Sequence, residues 1–129
     1  MFIYTDLAND LLSCRDENTK TRILFVCTQN FLRSPTAERV FSEHVHLDVK
    51  SAGTDEKATI VLTSELLKWA DIVFVMEKRH QNTIRKKFND IFSTKRIICL
   101  SIRDEYDFMD QKLIYILKEK VTPFLKRTL

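Results

Sequence analysis

The fold is decided by residues 22–35, which have the sequence RILFVCTQNFLRSP. The apolar run predicts a strand at Arg22–Val26 that is covered on both faces of a sheet. Pro35 suits the first turn of a helix, because its missing N–H would have no intrahelical partner there. The stretch therefore predicts a buried strand, a loop over residues 28–33, and a helix that begins at about Pro35.

Outward from this stretch, short β-rich segments alternate with helical stripes. The first helix carries apolar positions at helical spacing: Ala37, Val40, Phe41, His44 and Val45. We predict further strands at 49–52, 72–76 and 96–100, and further helices at 64–69, at 77–92 and from the N-cap Asp110 to Leu125, with a kink at Pro123. Four strands separated by helices imply parallel pairing through right-handed crossovers. The pattern predicts a three-layer α/β fold, a four-stranded parallel sheet flanked by helices.

Length and charge limit the classes of protein. The chain has 129 residues, which fits one domain over residues 1–129, and its net charge of +3 is too mild to indicate a nucleic-acid partner. We expect residues 1–20 to form an N-terminal extension that is helical and packs on the domain through Leu7, Leu11 and Cys14. A partner-binding helix is the alternative for this segment.

The three cysteines, Cys14, Cys27 and Cys99, match neither a disulfide framework nor a zinc-ligand spacing. This usage favours a reducing compartment. No apolar run approaches the ~20 residues of a membrane span, and residues 1–9 lack the basic start of a signal peptide. We expect a cytoplasmic protein with no membrane partner, no metal and no cofactor.

Cys27 and Arg33 are the candidate catalytic pair. Cys27 follows the buried strand and Arg33 stands immediately before the helix, so the loop between them lies at the carboxyl edge of the sheet, where open α/β folds bind ligands. Backbone N–H groups of such a loop, with the helix N-terminus, form a site for phosphate. Arg33 offers a planar fork to two phosphate oxygens, and the same positive field stabilises a thiolate on Cys27.

These residues resemble the low-molecular-weight protein tyrosine phosphatase family. The resemblance covers 23–41, 51–54 and 70–76, and more loosely 104–106. It implies a flavodoxin-like fold and a two-step hydrolysis of a phosphomonoester without metal. Cys27 would attack phosphorus and carry a cysteinyl-phosphate intermediate, while Arg33 and the loop amides bind the equatorial oxygens.

The resemblance also implies supporting roles. Ser34 would donate to the Cys27 thiolate, and Asn30 would brace the loop through Ser34 and Ser51. Asp104 would protonate the leaving group and then activate water. The residues expected to contact phosphate or substrate are Thr28, Gln29, Asn30, Phe31, Leu32, Ser34 and Tyr106.

Phe31 and Tyr106 are expected to form walls for an aromatic ring. The predicted partner is therefore a phosphorylated protein, with phosphotyrosine as the modified residue, or another aryl phosphate.

The general acid has two alternatives to Asp104, namely Glu105 and Asp107. Glu105 stands where the family has proline.

Several positions depart from the family pattern. Gln29 replaces a glycine, which puts the loop backbone there in question. Leu32 replaces a second loop cysteine, so the usual protective disulfide is missing. The segment 54–69 is shortened and lacks the aromatic specificity loop and the histidine of the loop network. We therefore expect a shallow, open pocket.

Two other functions remain open at this point. A thiol-coupled arsenate reductase shares the fold and the loop, but such enzymes use further cysteines after the third strand, and 77–91 contains none. A phosphate-binding or phosphoprotein-docking module without turnover is motivated by Gln29.

A basic cluster is expected to be a solvated helix face, with steering of acidic phosphopeptides as the alternative. Its members are Lys78, Arg79, His80, Arg85, Lys86 and Lys87.

Overall fold

The computed structural model describes residues 20–125, so the predicted N-terminal helix with Cys14 lies outside the described residues. The strands are β1 Thr21–Cys27, β2 Leu47–Gly53, β3 Ile72–Val75 and β4 Arg96–Cys99. The helices are α1 Arg33–Phe41, α2 Ser64–Trp69, α3 Lys78–Lys87, α4 Asn89–Phe92 and α5 Gln111–Leu125.

The strands form one parallel sheet in the order β2-β1-β3-β4, which confirms the predicted four-stranded parallel sheet. The chain passes from β1 to β2 on one side and then crosses to β3 on the other side of β1. Phe25 in β1 accordingly pairs with Ser51 on one side and with Phe74 on the other. Open sheets bind ligands at such a reversal, outside the carboxyl ends of the strands.

The core lies on both faces of the sheet. Ile23 and Phe25 of β1 belong to the cluster that α1 and α5 cover, whereas Leu24 and Val26 belong to the cluster on the opposite face. Phe25 stacks between Phe41 and Phe74, with ring centroids 5.5 and 5.4 Å apart. Burial on both faces fixes β1, and with it the residue at its carboxyl end.

Helix α1 differs at both ends from the prediction. It begins at Arg33, two residues before Pro35, and it ends at Phe41. His44 and Val45 therefore lie in an exposed turn, and the assignment of these two residues to the helix is wrong. The turn is closed by the Leu47 N–H, which donates to the His44 carbonyl at 3.1 Å.

The single helix predicted over residues 77–92 is two helices. Phe88, with φ −130° and ψ 49°, leaves the helical region and separates α3 from α4. Phe88 and the apolar residues of α4 still pack against the same cluster as Ile84. This shared face explains why the apolar spacing predicted a continuous helix.

Asp110 caps α5 as predicted, since its Oδ1 accepts the Lys112 N–H at 2.8 Å. Pro123 lies in the last described turns, and the helix continues through it to Leu125. Among the helices within residues 20–125, none combines the length and the apolar character that crossing a bilayer requires.

Gly53, the single glycine of the sequence, ends β2 against the loop that follows β1. A Cβ atom at this position would lie 2.5 Å from the Thr28 carbonyl oxygen, 2.6 Å from the Ala58 Cβ and 2.9 Å from the Asn30 nitrogen. Two of these atoms are backbone, so a side chain here would displace the loop.

We expect Gly53→Ala to destabilise the fold by about 1–3 kcal/mol, because overpacking must move backbone atoms. Urea unfolding followed by fluorescence of Trp69, the single tryptophan, measures the effect. Adding Ala58→Gly should restore only part of the loss, since the contact with the Thr28 carbonyl remains. A Gly53→Ala variant as stable as the wild type would contradict this account of the close approach.

Candidate active site

A cavity of about 230 Å³ opens at the carboxyl edge of the sheet. It brings together residues from the loop after β1, the start of α3 and the segment after β4. The described residues that line it are Cys27, Thr28, Gln29, Phe31, Leu32, Arg33, Arg79 and Asp104. The predicted pair Cys27 and Arg33 thus faces one cavity, and Asp104 reaches it from a distant part of the chain.

The loop between β1 and α1 presents its backbone N–H groups as free donors. Within residues 20–125, no protein acceptor is found for the N–H groups of residues 29–34. Leu32, at the N-cap of α1, makes no side-chain cap. Consecutive unpaired N–H groups at a helix N-terminus favour an anion.

The loop tolerates Gln29 because the left-handed backbone falls on its neighbour. Asn30 has a φ of 54°, and the other described non-glycine residues with positive φ are Ser101 and Met109. Asn is among the residues that adopt this conformation most readily. Gln29 therefore needs no glycine-like freedom here.

The Asn30 side chain joins the loop to β2. Its Nδ2 donates to Ser34 Oγ and to Ser51 Oγ, both at 2.9 Å, and all three residues are buried. Ser51 Oγ in turn donates to the Glu38 carboxylate. These are the contacts expected for Asn30 and Ser51.

The same network sets the direction of the Ser34 hydroxyl. Ser34 Oγ already accepts a hydrogen from Asn30, and it lies 3.0 Å from Cys27 Sγ. Its own hydrogen therefore points to sulfur, with the Ala52 carbonyl at 3.4 Å as the longer alternative. This arrangement stabilises a thiolate on Cys27.

Arg33 is buried to 2% exposure, and its charge is paired. Nη1 donates to Glu77 Oε1 and to the Ile102 carbonyl, both at 2.8 Å. Nε lies 3.7 Å from Asp104 Oδ1. A buried cation requires such partners, and they fix the guanidinium plane beside the cavity.

Glu77 is a site residue that the sequence pattern did not predict. Its Oε1 accepts from Arg33 and also from Nη2 and Nε of Arg79, at 2.9 and 3.1 Å. The hydrogen bond from Arg33 is the main cause that lowers the pKa of Glu77, against an opposing effect of burial, and Arg79 lowers it further. Glu77 therefore stays ionised and holds both guanidinium groups.

Asp104 is half exposed and lines the cavity, whereas the two alternatives are not among the described lining residues. Glu105 pairs with Arg103 at 4.0 Å, and neither Glu105 nor Asp107 is among the described cavity-lining residues. The segment carrying Asp104 is tied to α1 at its far end, where the Met109 N–H donates to Thr36 Oγ1 at 2.9 Å.

The two aromatic residues expected at the pocket walls lie in different places. Phe31 lines the cavity and is 66% exposed. Tyr106 instead packs, partly buried, against the cluster under α1 and α5, and it is not among the described lining residues. Of the two rings expected at the pocket walls, the structure therefore brings Phe31 to the described lining, whereas Tyr106 contacts the core.

The position of His80 differs from two expectations. One placed His80 on the solvated basic face, and the other was that the loop network lacks a histidine. His80 is 1% exposed and does not belong to the solvated basic face, whose other members, Lys78, Arg79, Arg85, Lys86 and Lys87, are exposed. Its Nδ1 accepts the Glu77 N–H at 3.0 Å, and its Nε2 lies 2.8 Å from Thr28 Oγ1. A histidine from α3 thus reaches the loop. The capping-box spacing of Glu77 and His80 was the available sequence signal.

Burial is the main cause that lowers the pKa of His80 to about 4, and the charges of Arg33 and Arg79 lower it further. Glu77 and Asp104 act in the opposite direction. The ring is therefore neutral at pH 7.

The shortened segment after β2 supports the loop from outside. The N–H groups of Thr54, Asp55 and Thr59 donate to the carbonyls of Cys27, Thr28 and Gln29, at 2.9–3.0 Å. These bonds turn the loop carbonyls outward, which leaves its N–H groups for the cavity.

Cys27 is buried, Cys99 is partly exposed at the end of β4, and both are free thiols. In the part of the chain that the structure describes, no group of three or more His, Cys, Asp and Glu side chains is arranged to hold a metal ion.

Known proteins resemble this chain in sequence and in fold. The sequence model of a family described as low molecular weight phosphotyrosine protein phosphatase matches residues 22–65. The protein-arginine-phosphatase of Bacillus subtilis (strain 168) is 31% identical over an alignment that covers 66% of this chain and 77% of that protein. The chain belongs to the low-molecular-weight protein tyrosine phosphatase family. It is a hydrolase of this family.

Solved structures of low-molecular-weight phosphatases share the fold. A mutant of YwlE from Bacillus subtilis is 25% identical with a TM-score of 0.66, and the match covers 83% of this chain and 99% of that one. SP-PTP from Streptococcus pyogenes has a TM-score of 0.69 at 17% identity, covering 84% and 93%. The second match shows the fold alone.

The neutral, buried His80 predicts a loss of stability in acid. Its pKa in the folded state is below the unfolded value, so the unfolded chain binds the extra proton between about pH 6.5 and 4. Stability should fall across this window by up to about 3 kcal/mol. We expect His80→Gln to flatten the slope, measured by urea unfolding at pH 7.5, 5.5 and 4.5.

The exposed His44 supplies the matched control, since His44→Gln should leave the slope of the wild type unchanged. An identical pH dependence in the wild type and in His80→Gln would contradict the prediction.

Proposed function

We propose that this protein hydrolyses phosphotyrosine in phosphorylated proteins, with Cys27 as nucleophile, Arg33 as phosphate ligand and Asp104 as general acid and base. The observation that carries the proposal is the shared cavity of Cys27 and Arg33 beneath the unpaired loop N–H groups. A phosphoryl dianion suits this site, because its oxygens accept hydrogen bonds and its charge is opposite to that of Arg33.

In the first step, the Cys27 thiolate attacks phosphorus, an S–P bond forms and the P–O bond to tyrosine breaks. The tyrosine phenol has a pKa near 10, so the departing oxygen requires a proton. Asp104 in its protonated form supplies it. Arg33 and the loop N–H groups stabilise the charge on the equatorial oxygens.

In the second step, water attacks the cysteinyl phosphate and gives a proton to the Asp104 carboxylate. The S–P bond breaks, inorganic phosphate leaves and the thiolate returns. The Ser34 hydroxyl, 3.0 Å from sulfur, stabilises the leaving thiolate.

Residues at the cavity mouth favour phosphotyrosine over phosphoarginine. Phe31 offers an exposed ring to an aromatic side chain, while the guanidinium group of Arg79, 58% exposed, repels another cation. Phosphoarginine is the second candidate, because the relative from Bacillus subtilis is named a protein-arginine-phosphatase.

A reducing compartment suits this nucleophile. Leu32 occupies the position of the family's second loop cysteine, so Cys27 has no neighbouring thiol in the loop. We therefore propose a cytoplasmic protein.

A substrate panel tests the proposal. Peptides with phosphotyrosine, phosphoserine or phosphoarginine, and arsenate with a thiol, are offered to the purified protein in the presence of a chelator. We expect turnover of phosphotyrosine that vanadate inhibits and that Cys27→Ser abolishes, while Cys99→Ser retains it. Preferred turnover of phosphoarginine or reduction of arsenate would replace the assignment, and binding of phosphate without turnover would identify a docking module.

The role of Asp104 predicts a dependence on the leaving group. Asp104→Asn should slow hydrolysis of aryl phosphates whose phenol has a pKa near 10 by about 10²–10⁴-fold, and that of p-nitrophenyl phosphate much less, because a better leaving group needs less protonation. Steady-state kinetics on a series of phenols measures the slope. Asp107→Asn, outside the cavity, is the matched control; equal losses on all leaving groups would point to another acid.

A further inference from the structure

His80 is a buried titratable group that the proposed chemistry does not use, and it touches the phosphate loop. Its ring connects the backbone N–H of Glu77, 3.0 Å from Nδ1, with the hydroxyl of Thr28, 2.8 Å from Nε2. Thr28 follows Cys27 directly and lines the cavity. His80 therefore contacts the cavity-lining loop through the Thr28 hydroxyl.

The Glu77 contact determines the tautomer of the ring. A backbone N–H can only donate, so Nδ1 must be the unprotonated acceptor. A neutral imidazole then carries its hydrogen on Nε2 and donates it to Thr28 Oγ1. The ring stays neutral near pH 7, since burial and the neighbouring Arg33 and Arg79 outweigh Glu77 and Asp104 in their effect on its pKa.

The tautomer in turn determines what Thr28 can do. A hydroxyl has one hydrogen and can accept through its lone pairs. Because Thr28 Oγ1 accepts from His80, its own hydrogen is available for another partner, and within residues 20–125 no other hydrogen bond of this hydroxyl is found. The acceptor that fits the cavity is a phosphoryl oxygen.

We infer that Thr28 donates its hydroxyl hydrogen to a phosphoryl oxygen of the substrate, and that His80 is the positioning residue that keeps Thr28 a donor. This inference deepens the proposed function and rests on it for the identity of the ligand. All other groups offered to the phosphate, the loop N–H groups and Arg33, are donors. A Thr28 hydroxyl that donated to His80 would present its lone pairs to a dianion.

The ring hydrogen can be observed directly. Two-bond ¹H–¹⁵N correlation of the histidine rings at pH 7 should give an Nε2–H tautomer for His80, and the His80→Asn spectrum identifies its signals by their absence. A hydrogen on Nδ1, or a doubly protonated ring, would overturn the inference, and neither observation requires enzymatic turnover.

Binding of inorganic phosphate tests the role of the hydroxyl. In a Cys27→Ser background, which binds without chemistry, Thr28→Val should weaken phosphate binding about 10–100-fold, as expected for a hydrogen bond to a charged group. Thr28→Ser should stay within about threefold of the parent, since it keeps the hydroxyl. Thr94→Val removes a surface threonine hydroxyl and should have no effect.

His80→Asn separates positioning from structure. The shorter amide can still accept the Glu77 N–H but does not reach Thr28. Alone it should weaken phosphate binding about as much as Thr28→Val, and in the Thr28→Val background it should cause no further loss. Independent, multiplicative losses would assign His80 a structural role only, and unchanged binding in Thr28→Val would reject the hydroxyl as a ligand.

These outcomes are distinguishable from failure of the proposed function. A protein without phosphatase activity that binds phosphate through Thr28 would refute the reaction and retain the inference. An active phosphatase in which Thr28→Val binds phosphate normally would do the opposite.

Discussion

The buried guanidinium group of Arg33 is the constraint on which the site depends. A cation at 2% exposure is stable in the fold only if its N–H groups are paired. The partners are the Glu77 carboxylate and the Ile102 carbonyl, with the Asp104 carboxylate nearby. One charge therefore gathers the ends of β1, β3 and β4 around Cys27.

The polar groups around the loop have fixed directions because each hydrogen bond limits the next. The amide of Asn30 donates twice, so Ser51 passes its hydrogen to Glu38 and Ser34 directs its own toward sulfur. On the other side of the loop, backbone N–H groups of the segment after β2 donate hydrogen bonds to the carbonyls of Cys27 and Thr28. Apart from the Cys27 sulfur, the loop and Arg33 therefore offer hydrogen-bond donors to the cavity, which suits a multiply charged anion.

Local sequence patterns were sufficient to predict most of the strands of the sheet and the position of the loop after β1. The apolar run in β1 predicted a strand buried on both faces. Cys27 and Arg33 at its carboxyl edge predicted a shared site, and the structure places both residues in one cavity. The spacing of apolar residues predicted helix ends less well. Apolar residues at helical spacing continue through the helix break at Phe88 and past the helix end at Phe41, as far as His44. Tyr106 also depended on tertiary packing, because nothing local distinguishes a ring at the pocket from one against the core.

By itself, the sequence determined the strand, the loop and the helix around Cys27, since burial periodicity and the short spacing to Arg33 are local properties. Only the tertiary structure decided the partners of Arg33 and the role of His80. Glu77 and His80 lie more than 40 residues from the loop in sequence, and the order of the strands in the sheet places their side chains beside it. The physical reason is that burial and pairing of a polar group depend on what other segments bring to it, and periodicity along the chain carries no information about that.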